Sequence, residues 1–238
     1  MDRSLLERLN KARAAKRPAV LVTALDGGAQ ALIIDGAPAG GTLVPEDALA
    51  QALAEGATTG EIVLAERRYF VQVFDPPRRL FLIGAVHIGQ ALAPMAAMAG
   101  FGVVIIDPRR AWATAERFPG AVLDPRWPDE ALAGHGLDRR SAVVTLTHDS
   151  KIDDPALVVA LPSEAFYVAA LGSPRTHGQR VERLTPKIGA AALARLKAPA
   201  GLDIGASTPA EIAVSVLAEM ILALRGAKAA RPPKDARP

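Results

Sequence analysis

The sequence predicts an α/β protein: a parallel sheet with helices on both faces, preceded by a small α+β module. Three observations point there. The stretch Arg79 to Asp107 reads strand, glycine turn, helix, strand, acidic residue. Two later runs, Ala142 to Thr147 and Phe166 to Leu171, are short and apolar and end in small or polar residues, as strands buried on both faces do. Hydrophobic residues make up 50% of the chain and aromatics only 4%, so the core is built from Ala, Val, Leu and Ile, which suits helices packed on such a sheet.

Taken in order, Asp2 can cap a helix whose Leu5, Leu6, Leu9 and Ala12 share one face, ending near Arg17-Pro18. Val20 to Leu25 and Ala29 to Ile34 flank Asp26-Gly27-Gly28, a hairpin signal. Ala37 to Thr42 reads as a loop, and Glu46 to Ala54 as a short helix stopped by Gly56. Ile62 to Leu64 and Tyr69 to Phe74 make a second hairpin. Asp75-Pro76-Pro77 is a stiff connector, so residues 1–76 are expected to form the small module and 77–226 the parallel-sheet domain.

In the second domain, Leu80 to Ile83 is a strand, and Ile88, Leu92, Met95, Ala96 and Ala99 share a helix face that Gly100 closes. Val103 to Ile106 is the next strand. Trp112 to Phe118 reads as a short helical piece, Ala121 to Leu123 as a short strand and Asp129 to Ala133 as a helical turn. Helices follow at Asp154 to Leu161, Pro174 to Leu184 and Ala190 to Leu196. The last helix is the best marked, because Thr208-Pro209-Ala210-Glu211 is a capping box with proline at its first position. Residues 227–238 read as a disordered tail.

The glycine turn, Gly84-Ala85-Val86-His87-Ile88-Gly89, sets the first site question. In a Rossmann fingerprint, G-x-G-x-x-G, the first and third glycines fall on Gly84 and Gly89, and the second position is Val86. A valine there crowds a pyrophosphate and resists positive φ, so Val86→Gly is expected to improve NAD binding. The helix start still offers N–H groups and a positive dipole to an anion. Asp107, eighteen residues after Gly89, stands where a ribose-binding carboxylate belongs; the alternative is an ordinary tight turn with Asp107 capping the segment after it.

Ligands of open parallel sheets sit beyond the carboxyl ends of the strands. The candidate residues at that edge are Gly84, Ala85, His87 and Gly89; Asp107 and Arg109; Thr147, His148 and Asp149; and Gly172, Ser173, Arg175 and Thr176. N–H groups, two arginines and several hydroxyls converge there, a set suited to an anionic ligand with a ribose or pterin-like head. His148 and Asp149 can equally cap the following helix, and Asp153-Asp154 reads as capping rather than as a catalytic carboxylate pair. Gly201 to Thr208, with two glycines before a capped helix, is either a second backbone-lined anion site or a tight connection.

Several classes are excluded. With 28 basic against 25 acidic residues, and no aromatics among the basic ends, the charge pattern does not fit nucleic acid. There is no cysteine, hence no disulfide, thiolate nucleophile or thiolate metal ligand. Four histidines spaced 48, 13 and 29 residues apart make no metal signature, and neither G-x-S-x-G nor GK[ST] occurs. No stretch has the length of a membrane span and the first residues lack a signal-peptide core, so a cytoplasmic protein is expected.

ALAPMAAMAGFGVVIIDPR, the LTHD of Leu146 to Asp149, ALGSPRTH (Ala170 to His177) and GLDIGASTPAEIA (Gly201 to Ala213) together resemble the C-terminal half of the XdhC/CoxI family, over roughly Ala19 to Gly226. These are accessory proteins of xanthine dehydrogenase, carbon monoxide dehydrogenase and related molybdenum hydroxylases. The resemblance implies a chaperone without turnover of its own. It would bind molybdenum cofactor, as molybdopterin or its cytosine dinucleotide form, through the candidate residues above. Its partners would be a cysteine desulfurase-type sulfurase and the apo molybdenum hydroxylase that receives the cofactor. Two departures stand out. The family's GAGH turn is Gly84-Ala85-Val86-His87 here, and the usual N-terminal domain with its GS-x-SGGC-type cysteine has no counterpart. A separate polypeptide carrying that domain, or a homodimer of the short chain, is therefore expected. On the fold alone, an NAD(P)-dependent oxidoreductase or a ligand-free interaction subunit stays open.

Overall fold

A computed structural model describes residues 2–15, 17–43, 59–64, 66–75 and 77–226. The expected helix at 46–54 and the tail at 227–238 lie outside those residues. The chain divides into two compact units, Met1–Pro76 and Pro77–Pro238.

In the first unit, α1 (Arg3–Ala14) precedes five antiparallel strands: β1 (Ala19–Ala24), β2 (Gln30–Ile34), β3 (Ala37–Gly41), β4 (Gly60–Leu64) and β5 (Arg67–Phe74), in the order β3-β2-β1-β5-β4. Leu5, Leu9 and Ala12 of α1 pack on Ala19 and Leu32, while Val22, Ala24, Tyr69 and Val71 form a second cluster. Both expected hairpins form. Ala37 to Thr42 is not a loop but the edge strand β3, paired with β2 across a bulge at Leu32/Ile33. Its proline and small residues give no alternation, and Gly41, at φ +124°, lies so close to β2 that a Cβ would stand 2.0 Å from the Gln30 carbonyl.

The second unit carries β6 (Arg78–Ile83), α2 (His87–Met98), β7 (Phe101–Ile106), β8 (Val122–Asp124), α3 (Pro128–His135), β9 (Ser141–Thr145), α4 (Ser150–Ala160), β10 (Tyr167–Ala170), α5 (Pro174–Leu193), β11 (Leu196–Lys197) and α6 (Pro209–Arg225). The six strands are all parallel, in the order β11-β10-β9-β6-β7-β8. Counted from β6 as the first, that is 6-5-4-1-2-3, the order of a doubly wound dinucleotide fold. Alternate strand residues feed two cores. Leu80, Leu82, Ile105 and Val144 face α2 and α6 through Leu92, Ala96, Val216 and Met220. Phe81, Ile83, Val104 and Val143 face α3, α4 and α5 through Leu132, Leu157, Ala160 and Leu184.

Two helix expectations change. The segment 112–118 forms turns rather than a helix, and its Phe118 fills the α2 side of the core. The two helices expected at 174–184 and 190–196 are one element, α5, broken only at Gly189 (φ 78°, ψ 160°), with Leu196 passing into β11.

Candidate functional site

The turns after β6, β7, β9 and β10 lie along the carboxyl edge of the sheet, where local geometry decides what each offers a ligand. Gly84 has φ +103°, and a Cβ there would stand 2.2 Å from Thr147 Cγ2, so the turns after β6 and β9 touch through it. Gly89 seats α2 against the sheet, its missing Cβ facing Leu146, Phe118 and the Gly84 carbonyl at 3.4–3.5 Å. Those are the packing roles of the first and third fingerprint glycines. Val86 is the N-cap of α2 at φ −98°, ψ 173°, and it packs on the core beneath the helix. Extended backbone suits a β-branched residue, so the expected conflict with positive φ does not arise. No side chain caps α2, which leaves its first-turn N–H groups to the site.

Asp107 is engaged by its own neighbours on both carboxylate oxygens. It is fully buried. Its Oδ2 accepts from Ala85 N–H and Arg109 Nη2, both at 2.8 Å, and Oδ1 from Arg109 N–H and Nε, both at 2.9 Å. Burial alone would raise its pKa, but the Arg109 guanidinium and the two N–H groups outweigh it and hold the carboxyl below its ordinary value. Arg109, so fixed, lies 4.6 Å over the ring of the half-exposed Trp112.

After β9, the carboxylate that organises the turn is Asp153. Buried in the first turn of α4, it accepts from Thr147 Oγ1 at 2.7 Å and from His148 N–H at 3.0 Å. His148 is thereby held at φ 62° with its side chain exposed, and Asp149 N-caps α4 through Lys151 N–H at 2.9 Å. Burial pushes Asp153 up in pKa. Arg180, 2% exposed, stands 3.7 Å from Asp153 and donates to the Leu171 carbonyl at 3.1 Å, tying the turns after β9 and β10. Its Nε and Nη1 are buried and meet no acceptor among the described residues. Ser173 N-caps α5, accepting from Thr176 N–H at 3.2 Å, and Arg175 projects into solvent.

A cleft of about 540 Å³ opens beside these turns, lined by Ile88, His148, Leu171, Gly172, Ser173 and the 199–206 loop, with Ile212 and Ser215 of α6. It lies where the strand order reverses, the usual ligand position in such sheets. Of the predicted residues it gathers His148, Gly172 and Ser173. Gly84, Ala85, His87, Gly89, Asp107, Arg109, Thr147, Asp149, Arg175 and Thr176 do not line it. The 201–208 segment is a tight connection. The Gly201 N–H goes to Glu219 and the Ser207 and Thr208 N–H groups go to Glu211, which leaves these three donors spent.

Sequence reasoning missed Arg180, Glu219 and the Pro199-Ala200 part of the wall, whereas the Gly201 to Ala206 part falls within the segment it had singled out. A signal existed for Glu219, the one acid within the apolar run Ile212–Leu224. Arg180 carried none, since an arginine among polar α5 residues reads as solvated. Among the described residues no three His, Asp or Glu side chains cluster as a metal would require, and no helix is long and apolar enough to cross a membrane.

The six parallel strands, in this order and with helices on both faces, define a Rossmann-type domain. Residues 80–220, more than half of the chain, match the XdhC Rossmann domain, and the chain belongs to that family. It is 35% identical over 153 residues to a probable xanthine dehydrogenase subunit of Bacillus subtilis, covering 64% of this chain and 44% of that protein. It is 32% identical over 149 residues to the molybdenum cofactor insertion chaperone PaoD of Escherichia coli, covering 62% of this chain and 40% of that one. The chain therefore spans less than half the length of these relatives. A crystal structure of a xanthine dehydrogenase from Bacillus halodurans superposes with a TM-score of 0.68 at 24% identity, covering 97% of this chain and 67% of that one, a likeness of fold.

Proposed function

We propose that this chain is an accessory protein of xanthine dehydrogenase-type enzymes, which holds molybdenum cofactor in the switch-point cleft for insertion into an apo molybdenum hydroxylase. The observation that carries the reading is the cleft at the reversal of strand order, in a chain whose relatives include a molybdenum cofactor insertion chaperone.

The residues present fit such a ligand. Apolar walls from Ile88, Leu171, Ile204 and Ile212 suit a flat ring system, and the Ser173 hydroxyl and His148 imidazole can meet its polar edge. Behind Gly172 the buried Arg180 guanidinium has two unmet donors, which biases that end of the cleft toward negative charge. The phosphate end of a pterin belongs there, with the α5 N-terminus beside it. The chain contributes no thiolate, so the cofactor would keep its metal on its own ligands. When bound, the cofactor supplies the molybdenum chemistry of the target enzyme; this chain binds, orients and shields it.

Further members of the same reading are the cytosine dinucleotide form of the cofactor, a cysteine desulfurase-type sulfurase, a separate protein carrying the N-terminal XdhC domain, and a cytoplasmic setting. An NAD(P)-dependent oxidoreductase is the second reading. The Asp107 geometry weighs against it, because a ribose hydroxyl would have to displace Arg109 or the Ala85 N–H.

Mass spectrometry of protein purified anaerobically from a molybdenum-replete host tests the choice. Bound pterin is the expected result. A nicotinamide would move the reading to the oxidoreductase, and empty protein to a ligand-free interaction subunit.

A further inference from the structure

We infer that α6 pairs with the α6 of a second copy of this chain, antiparallel, across a twofold axis at Ala218. The inner face of the helix is committed to the core through Ala213, Val216 and Met220, all fully buried. Its outer face is not polar. Val214 is 48% exposed, Ile221 37% and Leu222 43%, while Glu211 and Arg225 are exposed at the two ends. Single exposed apolar residues need no explanation, but these are ordered. Glu211, Val214, Ala218, Leu222 and Arg225 recur at spacings of 3, 4, 4 and 3, a stripe on one face of the helix that is symmetric about Ala218.

The stripe names its own occupant. Turned end over end about Ala218, it lays Val214 on Leu222 of the second copy and Glu211 on Arg225 of the second copy, and the same two contacts recur by symmetry. Apolar meets apolar, acid meets base, and the smallest side chain falls on the axis, where two helices come closest. The three capping bonds of Glu211 all fall on Oε2, so Oε1 is left for a cation. Antiparallel packing also sets each helix N-terminus beside the C-terminus of its neighbour. A parallel pairing would lose all of this, placing Glu211 on Glu211 and Arg225 on Arg225. Helices packed through alanine have axes about 8–10 Å apart with Cα atoms about 2.3 Å from each axis, which puts the two Ala218 Cα atoms within disulfide reach.

The chain has no cysteine, so an introduced one is its sole thiol. The test compares Ala218→Cys with Glu182→Cys, an exposed position on α5 at the opposite face of the sheet, under mild oxidation. Paired helices hold the two thiols at millimolar effective concentration, so Ala218→Cys is expected to cross-link at least about tenfold faster. Light scattering after size exclusion is expected to give twice the 24.9 kDa chain mass for the wild type. Ala218→Glu, which sets two carboxylates on the axis, should give a monomer with unchanged far-UV circular dichroism. A monomeric wild type, a dimer that survives Ala218→Glu, or equal cross-linking at 182 and 218 would each overturn the pairing. None of these outcomes depends on whether cofactor binds.

Discussion

The phenol of Tyr167 on β10 donates to the carboxylate of Glu219 on α6 at 2.6 Å, and the same Oε2 accepts the Gly201 N–H at 2.9 Å. One carboxylate thus joins the sheet, the last helix and the loop that walls the cleft. Burial and the neighbouring carboxylate push the Tyr167 pKa up, so the phenol stays a donor. The loop has little slack, since a Cβ at Gly201 would stand 2.3 Å from Ser215 Oγ.

Glu219→Ala leaves the buried Tyr167 phenol and the half-buried Gly201 N–H without their acceptor, and the buried donor alone costs about 1–3 kcal/mol. Tyr167→Phe removes one donor and leaves the Gly201 bond in place. Urea unfolding should therefore show a larger loss of midpoint for Glu219→Ala than for Tyr167→Phe. Equal losses would mean that the Gly201 bond carries nothing.

Gly84→Ala should destabilise the chain by about 1–3 kcal/mol, from positive φ together with the clash on Thr147 Cγ2. Thr147→Ser deletes that methyl group and keeps the hydroxyl that donates to Asp153. The double variant should accordingly recover part of the loss, and a thermodynamic cycle on denaturation midpoints reads it. Strict additivity would show that the two turns do not touch.

Val86→Gly is expected to weaken folding rather than open a nucleotide site. The valine sits in extended backbone and packs on the core, so glycine removes apolar contact and stiffens nothing. A loss of about 1–2 kcal/mol, with no gain in NADH affinity by fluorescence titration, is the predicted result.

Asp124 gives the acid response a definite sign. The Arg126 guanidinium, the Arg126 N–H and His135 outweigh burial and hold its carboxyl down to about 2 from an ordinary 3.8. A folded pKa below the unfolded one stabilises at pH values above the unfolded pKa, and that stability is lost as pH falls through the folded pKa. Asp124→Asn should therefore cost stability at pH 6, with the gap to wild type closing between pH 4 and 2 as both values in the carboxyl's range are crossed. Urea midpoints across that range measure it; a constant gap would remove the ionised pair as its cause.

Much of this was legible in the chain. The runs that became β6, β7, β9 and β10 announce themselves because strands buried on both faces need unbroken apolar residues, and the Thr208–Glu211 box is a local rule locally satisfied. β3 was not legible, since Pro38, Gly40 and Gly41 pair by close approach rather than by pattern. Asp107 was found, but its partner was not. Whether a carboxylate takes a ribose or its own Arg109 is decided by a side-chain rotamer two residues away. Asp153 reads as capping and Arg180 carries no signal, because the tertiary contact that buries them joins residues 27 apart.

The cleft is the central claim, and an anaerobic titration with molybdenum cofactor addresses it. Ala206 lines the cleft, so Ala206→Trp fills it, and His148→Gly removes the imidazole at a position whose φ of 62° suits glycine. Wild type should bind one equivalent, Ala206→Trp should lose about tenfold or more, and His148→Gly should lose a hydrogen bond's worth, about 0.5–1.5 kcal/mol. Wild-type affinity in a folded Ala206→Trp, or no binding by the wild type, would contradict it.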